Sequence, residues 1–277
     1  MVILDSNLLG EIDIFKEKID KRKLNLLVDT LFRDLSDKTI LNASIQDGDN
    51  AKRKEEVIVN FKKAWDYAMN QPPSEFDILK LENIAGLVEP GLRATGRDYA
   101  AIRNGEGTAI PGIRYMPPVD EFRIRTHLDR VMESLKSKDF HPVEEAVFLY
   151  FNLVRLQPFS NANKRTANII MNEVLLKEGF APISIPASQV EVFNGYFTGG
   201  VRAFRIDGSD SNDKLKPYLE PGNEQRLFYD YLGRIEKNNL VQLEDYLAGL
   251  PHTTLKFKSK DPAPLYTLKK RLLWWCN

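Results

Sequence analysis

Apolar residues recur at helical spacing in nearly every long segment of this 277-residue chain, and sustained alternation is almost absent. Ile12, Phe15 and Ile19, continued by Leu24, Leu27, Val28 and Leu31, predict an amphipathic helix over 11–36. Val57, Val59, Phe61, Trp65 and Ala68 mark a second over 53–69, and Phe76, Leu79, Leu81 and Ile84 a third over 75–88. Helices resume at 118–136, with Phe122, Leu128, Val131, Met132 and Leu135 inward, and at 142–156 on Val143, Ala146, Val147, Tyr150 and Val154. Pro142 suits a first helical turn, and Glu144 and Glu145 complement its dipole. Further helices are expected over 164–177, ended by Gly179, over 188–204, weakened by Gly199-Gly200, and over 222–247, with Leu227, Tyr231, Leu232, Ile235 and Leu240. Residues 90–118 break the pattern with prolines and glycines, and Asn104-Gly-Glu-Gly107 between apolar residues reads as a β-hairpin. The fold class is therefore all-α with one hairpin.

A hydrophobic content of 43% supports a sizeable core, while 39 basic and 39 acidic residues give a formal charge of zero. That balance argues against nucleic acid and anionic membranes as partners, since their binders show a basic excess. The sole cysteine, Cys276, excludes an internal disulfide and a cysteine-based metal site. Asp5, Glu11 and Asp13 break the N-terminal apolar residues, so the start does not read as a signal peptide, and a cytoplasmic location is expected. Oligomeric state, including a homo-oligomer, is left open.

The stretch Gln157-Pro-Phe-Ser-Asn-Ala-Asn-Lys-Arg-Thr166 lies between two of the apolar helices. A helix start presents unpaired N–H groups and positive dipole density, which favour an anion. Asn163 adds an amide, and Lys164 and Arg165 add cations, so phosphate binding competes with the plainer reading of a solvated loop. His127, His141 and His252 lack metal-ligand spacing; His141 reads as a helix-start residue and His127 as a remote substitute for a base. Trp274 and Trp275, behind Lys269-Lys-Arg271, read as a C-terminal helix docked on the body.

The 157–165 stretch resembles the core motif of the Fic/Doc (Fido) family, His-Pro-Phe-x-Asp/Glu/Asn-Gly/Ala-Asn-Gly/Lys-Arg. The resemblance covers roughly residues 75–205, with 1–74 as an N-terminal helical region and 206–277 as a C-terminal helical extension. It implies a Fic-type helical bundle whose β-hairpin flap, residues 99–112, docks a target protein. It also implies ATP and Mg²⁺ as cofactors and AMP transfer to a protein hydroxyl. On this resemblance Phe159 packs in the core, Asn161 takes the Mg²⁺ position, and Asn163, Lys164 and Arg165 hold phosphates. Lys164 matches the Doc form, which transfers a γ-phosphate instead. Gln157 replaces the general-base histidine, and a carboxamide cannot take up the hydroxyl proton. Asn161 is a weaker Mg²⁺ ligand than a carboxylate. Three readings follow: an adenylyltransferase of weak or lost activity, a Doc-like phosphotransferase, and a non-catalytic binding module. Asp47, in Ala43-Ser-Ile-Gln-Asp-Gly48, stands where the family carries an inhibitory glutamate, and two readings stay open: it competes for Arg165, or it belongs to a turn before the next helix.

Overall fold

The computed structural model describes residues 3–21, 51–71, 76–105, 116–137, 139–185, 187–208 and 215–247. Its helices are α1 (Ser6–Lys21), α2 (Ala51–Asn70), α3 (Ile78–Val88), α4 (Glu121–Ser137), α5 (Pro142–Leu156), α6 (Asn163–Lys177), α7 (Val190–Gly208), the single turn α8 (Lys216–Leu219) and α9 (Asn223–Leu247). No described residue belongs to a strand; the one β-type pairing among them is an antiparallel bridge between Arg93 and Ala100. The expected turn at Asn104–Gly107 continues into 106–115, outside the described residues, as do Asp47 and the C-terminal tryptophans. The base of that segment is described: the Gly105 N–H donates to the Val119 carbonyl at 2.8 Å.

Helix α5 is the axis of the molecule. Its periodicity predicts one buried stripe, but every residue from Val143 to Leu156 except Glu145 is buried. Two-sided burial is possible because α6 packs on one side and α9 on another, with Phe193, Phe197 and Phe204 of α7 meeting Tyr150 and Phe151 around Phe228 and Tyr229. The start of α5 is fixed by reciprocal capping. His141 Nδ1 accepts from the Val143 N–H at 3.2 Å, and Glu144 Oε2 accepts from the His141 N–H at 3.2 Å. Glu144 Oε1 also accepts from the Ile3 and Leu4 N–H groups, which ties the segment before α1 to the central helix. His141 is thus a helix-start residue, as its place before Pro142 suggests.

Several element limits and faces differ from the sequence reading. The first helix starts at Ser6, where Asp5 Oδ1 accepts from the Asn7 and Leu8 N–H groups as a cap. Val59, Leu79, Phe122 and Leu227 are exposed rather than inward. Each lies on a helix whose opposite face already meets the core, so periodicity alone does not settle which apolar residues stay outside. Helix α7 runs unbroken through Gly199-Gly200. A Cβ at Gly200 would lie 3.2 Å from Phe151 Cε2 and 3.4 Å from Gln225 Cα, so the glycine permits close approach of three helices.

Candidate active site

The stretch 157–165 is the turn between α5 and α6 together with the first residues of α6, and its shape is set by two residues with positive φ. Gln157 (φ 49°) ends α5 and Ala162 (φ 63°) precedes α6. Both lie in the left-handed region, which a non-glycine residue enters at a cost of about 1–2 kcal/mol. Local hydrogen bonds offset that strain. The Asn163 side chain closes the turn on itself: Oδ1 accepts from the Phe159 N–H at 2.9 Å, and Nδ2 donates to the Phe159 carbonyl at 2.7 Å. Phe159 is fully buried beneath it.

Gln157 is engaged at both ends of its amide. Nε2 donates to the Val154 carbonyl at 2.8 Å, and Oε1 accepts from Asn163 Nδ2 at 3.0 Å. Its carbonyl accepts from Arg103 Nε at 2.5 Å, and Arg103 also donates to the Leu156 carbonyl at 3.3 Å and to the Pro118 carbonyl. Arg103 is itself buried, and its backbone N–H donates to the Pro158 carbonyl at 3.0 Å. One cation therefore satisfies carbonyls at the C-terminal end of α5, where the helix dipole is negative, and fastens the turn to both ends of the segment 103–118.

The anion-suited half of the turn is the start of α6. Its N-cap, Ala162, has no side chain to satisfy the first N–H groups, so Asn163, Lys164 and Arg165 present them around the dipole's positive end. Lys164 is half-buried. Arg165 is only 2% exposed. Its Nη2 lies 3.4 Å from Glu89 Oε2, an ion pair at the long end of hydrogen-bond geometry. The same Glu89 oxygen accepts from Asn161 Nδ2 at 3.3 Å, while Asn161 Oδ1 accepts from the Ala162 N–H at 2.7 Å.

The sequence-predicted residues Gln157, Asn161, Asn163, Lys164 and Arg165 thus lie in one turn. The Asn163 amide faces into that turn, leaving its backbone N–H on the helix start. Glu89 and Arg103 were missed by sequence reasoning. A basic residue 54 positions before Gln157 carries no local signal, and Glu89-Pro90 reads only as a helix stop. His127 sits under α8, with Nδ1 2.6 Å from the Tyr218 hydroxyl. Burial, reinforced by Arg155, Arg130 and Arg123, pushes it down to about 3, so it is neutral at physiological pH.

Among the described residues no three His, Cys, Asp or Glu side chains converge as a self-sufficient metal site. Glu89 brings one carboxylate to the turn, and Asn161, whose Oδ1 is held by the Ala162 N–H, turns its Nδ2 toward it. A single carboxylate suits Mg²⁺ when substrate phosphates complete the coordination, and not as an all-protein cage. A cleft of about 500 Å³ between α1 and α9, lined by Asp5, Glu11, Asp230, Arg234 and Lys237 among others, lies away from this turn.

The architecture is an all-α fold centred on a buried helix–turn–helix whose turn carries an uncapped, cationic helix start. A sequence profile of the Fic/DOC family matches residues 21–175, and the chain belongs to that family. Over 149 residues it is 33% identical to a protein adenylyltransferase Fic of Drosophila persimilis, in a match covering 52% of this chain and 28% of that protein. The match thus spans little more than a quarter of that relative's length. A Fic-domain signaling protein of Bacteroides thetaiotaomicron superimposes with a TM-score of 0.61 at 13% identity, over 87% of this chain and 99% of that one. IbpAFic2, in a structure where it is covalently tethered to Cdc42, superimposes with a TM-score of 0.51 at 15% identity, over 83% and 70% of the two chains. At these identities the structural likeness shows the fold.

Proposed function

We propose that this chain is an Mg-ATP-binding protein of the protein adenylyltransferase type in which the transfer step is crippled at Gln157. Phosphate binding is supported by the start of α6, where three successive N–H groups without a side-chain cap lie in the turn that carries Lys164 and buried Arg165. The loss of transfer is carried by one observation: both ends of the Gln157 amide are engaged by the turn. An amide has no basic nitrogen, and Oε1 can at most orient a hydroxyl. Removal of a positioned general base lowers the rate by about 10²–10⁴.

The bound cation, held by the Glu89 carboxylate beside Asn161, would supply charge neutralisation of the phosphates. Every other contribution comes from the chain. Arg165 clamps a phosphate, Lys164 adds a second cation, and Arg103 holds the turn against the base of the flap. A protein as acceptor is supported by the relatives' names and by the Cdc42-tethered neighbour. The exposed Met116, Val119 and Phe122, beside the base of segment 99–112, offer apolar surface for such a target.

Titration calorimetry of Mg-ATP, followed by intact-mass measurement after incubation, tests this reading. Wild type should bind nucleotide and gain little or no mass. Gln157→His should bind comparably and acquire AMP-sized adducts about 10²–10⁴ faster. Arg165→Ala should lose binding. A phosphate-sized adduct would move the protein to the Doc-like reading, which Lys164 favours. No binding by the wild type would remove the nucleotide reading.

A further inference from the structure

Glu89 stands where helix electrostatics disfavour it. It is the C-cap of α3, its backbone N–H donating to the Ala85 carbonyl, and a carboxylate there adds to the negative end of the dipole. Its position is fixed from both sides. Pro90 stops the helix, and Gly86, one turn earlier, allows close packing on the 98–100 backbone; a Cβ there would lie 3.0 Å from Ala100 N and Asp98 O. The side chain is directed into the 157–165 turn, where its Oε2 meets both Asn161 and Arg165. It thus brings a charged oxygen to a motif whose own metal position, Asn161, is a neutral amide.

We infer that Glu89 supplies the carboxylate for the divalent cation of a bound nucleotide, with Asn161 as its neutral neighbour, and that without cation it lies on Arg165. This rests on the nucleotide reading above. A hard cation with phosphate ligands prefers a charged oxygen to a carboxamide, and Glu89 Oε2 is adjacent to Asn161. Without a cation the same carboxylate neutralises Arg165 and repels phosphate. One side chain therefore makes nucleotide binding conditional on the metal: it opposes free ATP and favours Mg-ATP. The effect should be largest at low ionic strength, since Glu89 retains some exposure.

The test compares ATP affinity by calorimetry in EDTA and in Mg²⁺, with Mn²⁺ resonance spectra of the ATP complex as a second readout. In wild type the cation should tighten ATP binding by about tenfold or more, roughly 1.4 kcal/mol. Glu89→Gln keeps the shape and the hydrogen bonding. It should tighten binding of metal-free ATP, abolish the gain from Mg²⁺ and release the immobilised Mn²⁺. Adding Asn161→Asp to Glu89→Gln should restore the gain, because the carboxylate returns one residue position away in space. A Glu89→Gln protein that keeps the full gain from Mg²⁺ overturns the inference. So does one that binds ATP and Mg-ATP more tightly by equal factors, which would make Glu89 a simple competitor for Arg165. Absence of ATP binding in every condition removes the nucleotide reading, and this inference with it.

Discussion

At the residue scale, the chemistry of the turn depends on side chains that bond both to backbone and to one another. Asn163 and Gln157 interlock through their amides, and Arg103 reaches carbonyls on α5 and beside Val119. Replacing Arg103 by methionine keeps much of the apolar stem and deletes the donors, leaving carbonyls in a buried setting without their cation. A loss of about 3 kcal/mol is expected, because bonds to charged donors contribute about 1.5–3 kcal/mol each and a buried orphan adds its desolvation. Urea unfolding of Arg103→Met against wild type measures it. Any nucleotide affinity should fall as well, since the turn loses its anchor. A stability change under about 0.5 kcal/mol, the range of ordinary surface substitutions, would mean that the carbonyls find water instead.

At the element scale, α7 illustrates how packing overrides propensity. Gly195 and Gly200 lie on the same helix, and glycine within a helix costs about 1 kcal/mol relative to alanine. A Cβ at Gly195 meets nothing within 4 Å, so Gly195→Ala should stabilise by about 0.5–1 kcal/mol. At Gly200 the Cβ meets the Phe151 ring, which cannot retreat because Phe197, Phe204, Phe228 and Tyr229 surround it. Gly200→Ala should therefore destabilise by about 1–2 kcal/mol despite its better propensity. Opposite shifts in denaturation midpoint are the expected signature; a stabilising Gly200→Ala would show that α7 and α9 can separate cheaply.

At the scale of the whole molecule, two buried titratable groups bracket the pH range of stability. Glu236 on α9 is fully buried and accepts from the Ala181 N–H at 2.8 Å, and burial raises its carboxyl well above the ordinary value near 4.5. The stabilisation is complete below 4.5 and is lost as pH rises through the raised folded value. His127 works in the opposite sense. Its folded value of about 3 lies below the ordinary 6.5, so its share is present above 6.5 and is lost as pH falls from there toward 3. Unfolding free energy measured across pH should show both limbs. Glu236→Gln should flatten the alkaline limb and His127→Gln the acid limb, each leaving the other in place. Unchanged limbs in the variants would assign the pH dependence to other groups.

Helix positions were legible from local spacing because a helix satisfies its backbone internally and needs only a stripe of apolar residues to mark its buried face. Residues 142–156 show this, with limits read from Pro142 and from the polar turn that follows. The motif was legible for a similar reason: Gln157, Asn163 and Arg165 lie within one turn, so their chemistry is contiguous in the chain. Long-range placement was not. Only the tertiary structure buries α5 on all sides, brings Glu89 to Arg165 across 76 residues and passes Arg103 beneath Gln157. Such contacts follow from how helices pack, and packing depends on steric fit at positions like Gly86 and Gly200 that carry no periodic signal. The sequence by itself determined a helical chain with a cationic helix start and no histidine at its motif. The tertiary structure decided that a carboxylate shares that helix start and that the glutamine is held by the turn it belongs to.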